Sequence, residues 1–224
     1  MVVGAVNRVL PAAAAIWRDD DKVLAMDQMW DGDERKLGIE ELAANMVRSV
    51  GKRKLLDIGC GSGRYARIIR GWRVYLGIDS AEAMIELASV LTDEFPKRKI
   101  EVIRGDALAM MRAGEIAQHD LALCIQMVQH YECPFLMAAD VLANAPAKHV
   151  LITFDVHDRE PGETVEFKIG WEGEEDGSNI ASRSVHRDDV AAFLRSYEVV
   201  ATKVLPVWWH PDAKYLFALI KKGE

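Results

Sequence analysis

Three acidic residues close apolar runs at a regular beat: Asp57 in LLDIG, Asp79 in RVYLGID and Asp106 in IEVIRGD. A carboxylate brings two acceptor oxygens and a negative charge. At successive strand ends, Asp79 can accept both hydroxyls of a ribose, and Asp106 can accept from an exocyclic amine. Asp57 suits a cationic or amino-bearing group better than a pyrophosphate. Beyond Asp57 lies GCGSGR, with Gly59, Gly61 and Gly63 at every second place. A backbone this bare lets a ligand come close to main-chain N–H groups at a helix N-terminus.

Spacing narrows the choice of ligand. A Walker loop ends in Gly-Lys-Ser/Thr, and Gly63-Arg64-Tyr65 does not. A dinucleotide fingerprint needs a glycine at position 64, where this chain has Arg64, and Gly63 comes one place early. S-adenosylmethionine carries a ribose, an amine and a positive charge, and it is the cofactor that the three acids favour. Cys60 reads as a small filler of the loop, because no His or Lys adjacent in sequence would activate its thiol.

The elements that must hold these residues follow from periodicity. Ile39, Leu42, Ala43, Met46, Val47 and Val50 predict an amphipathic helix over 39–50. Strands are predicted at 54–59, 73–79, 100–106, 120–127, 149–156, 198–207 and 214–222. Helices are predicted from Ser80 as N-cap, from Pro134 to 145, and over 187–196. Strands alternating with helices give a doubly wound, mostly parallel α/β sheet. WWHPDA is too short for a crossover, so the last two strands pair antiparallel. Residues 157–186 break the rhythm. They alternate around Thr164–Trp171, carry the turn signal Asp176-Gly177, and predict an inserted β-hairpin on the strand-end side. In doubly wound folds ligands sit at that side.

At these residues the chain resembles the class I S-adenosylmethionine-dependent methyltransferases. Asp57-x-Gly59-x-Gly61-x-Gly63, Asp79 and Gly105-Asp106-Ala107 look like the first three motifs of that family, and the likeness covers roughly residues 50–156. It implies a Rossmann-like sheet of seven strands. It also implies that the methionine part lies over Gly59–Gly63, with Cys60 inside that loop, and that Asp57, Ser80 and Ala107 belong to the cofactor site. Asp79 would hold the ribose, Asp106 would lie near the adenine, and Gln126 would border the transferred methyl group. His130, in QMVQHY, occupies a segment where many small-molecule members carry a histidine. It is the candidate base or substrate contact, against a plain loop histidine. No Asn/Asp-Pro-Pro-Tyr/Phe appears, which weakens a nucleobase amino-methylating reading.

The remaining features set limits. The chain has 224 residues and fits one domain, with residues 1–50 as an N-terminal helical cap and 157–186 as the hairpin. A net charge of −7 disfavours broad binding to nucleic acid or anionic membranes. Cys60, Cys124 and Cys133 have neither zinc nor disulfide spacing, so a reducing, cytoplasmic setting without a metal is expected. LPAAAAIW near the start reads as an arm, with Ala13-x-Ala15 as the secretory alternative. Arg64, Arg67 and Arg70 recur at helical spacing, as a solvated face or a contact for RNA phosphates. Trp17, Trp30, Trp171, Trp208 and Trp209 fall in segments predicted to ring the strand ends, as pocket walls or core residues. The preferred acceptor is a small molecule. The alternatives are a modified wobble uridine in tRNA, suggested by Gly-Arg-Tyr, then an NAD-dependent oxidoreductase or a non-catalytic cofactor-binding domain. Nothing in the sequence fixes the oligomeric state.

Overall fold

The computed structural model describes residues 27, 34–51, 53–93, 95, 99–169, 180–207 and 212–223. Trp17, Trp30, Trp171, Trp208, Trp209, most of the predicted cap and the Asp176-Gly177 turn lie outside the described residues. Helix α1 (Glu34–Ser49) starts earlier than the periodicity predicts and buries Ile39, Ala43, Met46 and Val47. Then come β1 (Lys54–Ile58), α2 (Arg64–Ile68), β2 (Val74–Asp79), α3 (Glu82–Thr92), β3 (Lys99–Arg104), α4 (Ala107–Arg112) and β4 (His119–Cys124). A short 3-10 turn (Val128–His130) leads to α5 (Pro134–Asn144) and β5 (Ala147–His157). The hairpin β6 (Thr164–Ile169) and β7 (Ile180–His186) follows, and then α6 (Arg187–Leu194), β8 (Glu198–Pro206) and β9 (Lys214–Lys221).

The strands form one mostly parallel sheet in the order β3-β2-β1-β4-β5, with β9 antiparallel to β5 and β8 antiparallel to β9. These seven are the predicted strands, in the doubly wound order with an antiparallel end. The hairpin adds two more, because β7 pairs in parallel with β5, so the whole sheet has nine strands. The β5–β7 ladder is short: Val156 faces Val185 and His157 faces His186. β4 is already over at that level, since Cys124 lies opposite Ile152. The hairpin therefore stands beside the carboxyl end of β5, in the lane that β4 has left.

Two apolar layers cover the sheet. Ile152, Phe154 and Val156 of β5 pack with Met137, Val141 and Val190, while Leu151 packs with α1, Tyr75 and Phe217 on the opposite face. A strand buried on both sides reads as an unbroken apolar run, as VLITF does. Among the described residues no helix is long and apolar enough to cross a membrane.

Candidate functional site

β1 ends in a carboxylate that water does not reach. Asp57 is 1% exposed, and the Tyr75 hydroxyl donates to its Oδ2 at 2.6 Å. Burial pushes the Asp57 carboxyl up to about 7, against the opposing effect of the Tyr75 bond. Gly77 stands opposite Asp57 in the β1–β2 register. A Cβ there would lie 2.9 Å from both Cys60 Sγ and Tyr75 Cε1, so the missing side chain makes room for both. Cys60 is the filler that the sequence suggests: burial raises its thiol well above the ordinary range, which excludes a resting thiolate.

The glycine loop closes on β2. The Gly59 and Cys60 N–H groups both donate to the Ile78 carbonyl, at 2.8 and 3.1 Å. Gly59, Gly61 and Gly63 have φ of 70°, 52° and 71°, the left-handed region that favours glycine. Asp79 then fastens the loop from the other side. Its Oδ2 accepts the Gly61 N–H at 3.0 Å and its Oδ1 accepts the Ala81 N–H at 2.9 Å. Burial raises the Asp79 carboxyl above its usual range, and these two donors partly restore it. Ser80, predicted as the N-cap of α3, is exposed and is not the cap. Ala81 holds that place, and Asp79 supplies the bond a capping hydroxyl would make.

Asp106 caps α4 by accepting the Ala109 N–H at 3.1 Å. Ala107 behind it is buried. The Gly105 N–H donates to the Asp79 carbonyl at 2.9 Å, which sets the Asp106 turn directly beside the Asp79 turn.

Past β4 the chain is bent by force. Gln126 has φ 56°, the one positive value at a described residue other than glycine. Its N–H donates to Thr153 Oγ at 2.6 Å, and its Nε2 donates to the Tyr215 hydroxyl at 3.0 Å. Bonds to β5 and β9 hold the strained residue in place. Met127 turns its sulfur toward the glycine loop, where a Cβ on Gly59 would meet Met127 Sδ at 2.8 Å. His130 ends the 3-10 turn half-buried, its N–H bonded to the Met127 carbonyl at 3.1 Å. Burial first, then Cys124, Asp106 and Asp79, push the pKa of the neighbouring Tyr131 hydroxyl up and keep it protonated, so Tyr131 lies within the field of both acids.

The structure thus joins Asp57, the glycine loop, Asp79 and the Asp106 turn, and sets Met127, next to Gln126, against the loop. Beside the Ser80 cap, the arginine stripe is corrected. α2 ends at Ile68, so Arg70 lies beyond it, and the other two arginines do not form a solvated face. Arg64 pairs with Glu40, and Arg67 pairs with Asp27 at 2.7 Å. The sequence missed Tyr75, Thr153 and Tyr215, because their roles come from pairings between distant strands that no local pattern shows.

Residues 55–145 match a family described as a methyltransferase domain. No curated protein sequence matches the chain significantly. Among solved structures, magnesium protoporphyrin IX methyltransferase (ChlM) from Synechocystis PCC 6803 with bound SAM aligns at TM-score 0.62 and 16% identity, over 96% of this chain and 100% of that one. The PH0226 protein from Pyrococcus horikoshii OT3 aligns at 0.61 and 19%, over 87% and 93%. The [4+2]-cyclase SpnF aligns at 0.61 and 16%, over 86% of each. At these identities the structures share the fold.

Proposed function

We propose that this chain, a member of the class I S-adenosylmethionine-dependent methyltransferases, passes the cofactor's methyl group to a small-molecule acceptor and releases S-adenosylhomocysteine. The observation that carries the reading is Asp79. It bridges the Gly61 and Ala81 N–H groups, and so presents a half-buried carboxylate and a fixed glycine loop together. The residues fit the cofactor: Asp57 and Asp79 are carboxylates that burial makes hungry for a positive or donor-bearing partner. When bound, the sulfonium supplies an activated methyl group and a neutral leaving sulfide.

The protein's share of the work is placement. Asp57 and the loop hold the methionine end, Asp79 the ribose, the Asp106 turn the adenine edge, and Gln126 borders the methyl group. His130, next in line past Gln126, takes the acceptor's proton. A small acceptor is favoured over RNA because Arg64 and Arg67 are already committed to Glu40 and Asp27.

Calorimetric titration with S-adenosylmethionine, S-adenosylhomocysteine and NAD tests the reading. Binding of the first two and not the third is expected, and NAD binding alone would overturn it. The same titration has a pH signature. Below pH 7 the free protein holds Asp57 largely protonated, and a cationic ligand favours the carboxylate, so binding expels a proton. Affinity should rise about fivefold from pH 6 to 7 and level off above. A flat profile would separate Asp57 from the ligand's charge. His130→Ala should leave cofactor affinity nearly intact while cutting turnover roughly 100-fold, the usual worth of a base. Equal turnover would leave His130 a structural residue. SpnF shows that this fold also serves a cyclase, so a labelled-methyl assay completes the test.

A further inference from the structure

β5 runs past the end of β4 with polar residues on one face, Thr153, Asp155 and His157, all fully or almost fully buried. Thr153 holds the Gln126 N–H, and Tyr215, opposite Asp155 on β9, holds the Gln126 side chain. Asp155 is two residues beyond Thr153, roughly 7 Å further along the strand. It therefore lies one step outward from the place proposed for the methyl group.

Asp155 faces the hairpin. The Ser182 hydroxyl of β7 donates to its Oδ2. Its Oδ1, the Gln129 Oε1 and the Ser184 Oγ are buried without a hydrogen-bond partner among the described residues. Asp155, Gln129 and Ser184 are 1%, 3% and 0% exposed. The 3-10 turn that carries Gln129 packs on both β5 and β7, the strands that carry the other two groups. The histidines one step further are spoken for. His157 meets the Glu163 carbonyl and the Arg159 N–H, and His186 Nδ1 accepts the Asp188 N–H. Three unmet polar atoms on neighbouring packed elements are rare in a folded protein unless something binds between them.

We infer that Gln129, Asp155 and Ser184 form the acceptor-binding site, and that it takes a non-anionic small molecule bearing hydroxyl or amino groups. The inference rests on the methyltransferase reading and names its acceptor class. Gln129 Oε1 and Asp155 Oδ1 are acceptors, and Ser184 can serve as either partner, so the site asks for O–H or N–H donors. No cation pairs with Asp155 among the described residues, and burial pushes its carboxyl up to about 7, so from neutral pH upward a carboxylate or phosphate on the acceptor would meet a like charge uncompensated.

The test offers the full-length chain methyl-labelled S-adenosylmethionine with two panels. One holds monosaccharides, catechols and aliphatic amines, and the other holds benzoates, hydroxy acids and sugar phosphates. Label should pass to members of the first panel. Ser184→Ala and Gln129→Met should each raise KM for that acceptor at least tenfold, with kcat within about twofold and cofactor affinity unchanged. Turnover confined to the anionic panel, or no turnover with either panel by a protein that binds S-adenosylhomocysteine, would overturn the acceptor class. An unmoved KM in both variants would show that these groups hold only water. A chain that binds neither cofactor form would instead sink the methyltransferase reading beneath it.

Discussion

Asp79→Ala should weaken S-adenosylmethionine binding by about 2–3 kcal/mol, roughly 30- to 150-fold. Two losses add. In the proposed placement the ribose hydroxyls lose a charged acceptor, and the glycine loop loses the oxygen that holds Gly61 in register with β2. The start of α3 also loses the bond at Ala81. Asp79→Asn keeps one good acceptor and should fall between wild type and Ala. Calorimetry on the three proteins checks the order, and equal affinities would remove Asp79 from the site.

Gly59→Ala should be the most damaging single methyl group in the loop. An alanine at φ 70° costs about 1–2 kcal/mol, and its Cβ would arrive 2.8 Å from Met127 Sδ. Pushing that side chain aside adds about 1–3 kcal/mol. The melting temperature should drop by roughly 5–15 °C. Cofactor affinity should fall as well, because Met127 sits next to Gln126. Gly71→Ala is the control. It shares a positive φ, 90°, but has open space around the new Cβ and lies away from the site, so it should cost stability without touching affinity. If both variants lose stability equally, the Met127 contact contributes nothing.

The sheet was legible because its strands announce themselves: LLDI, VYLGID and VLITF are apolar runs whose lengths and endings survive into the structure. The acids were legible as a set because each ends such a run. What each acid touches was not. Asp57 reads as a carboxylate at a strand end, and no local pattern shows its bond to Tyr75, a residue 18 positions away that reaches it because Gly77 beside them has no side chain. Ser80 reads as a helix cap because Ser often is one, yet the adjacent Asp79 outcompetes it with a fixed carboxylate. Arg64 and Arg67 look like a solvated stripe by spacing alone. Their partners Glu40 and Asp27 lie 24 and 40 positions upstream, beyond any local window. Gln126 was singled out by its place after β4, and its strained backbone follows from Thr153 and Tyr215, which no pattern connects to it.

The short β5–β7 ladder has a consequence for how such a chain changes over generations. A unit whose backbone ladder to β5 is only two residue pairs long can be lengthened, shortened or exchanged without re-registering the strands that carry Asp57 and Asp79. If the proposed acceptor site holds, acceptor preference is then free to drift while the cofactor half stays fixed. Grafting a foreign hairpin between His157 and His186 becomes the most direct way to redirect which compound is modified.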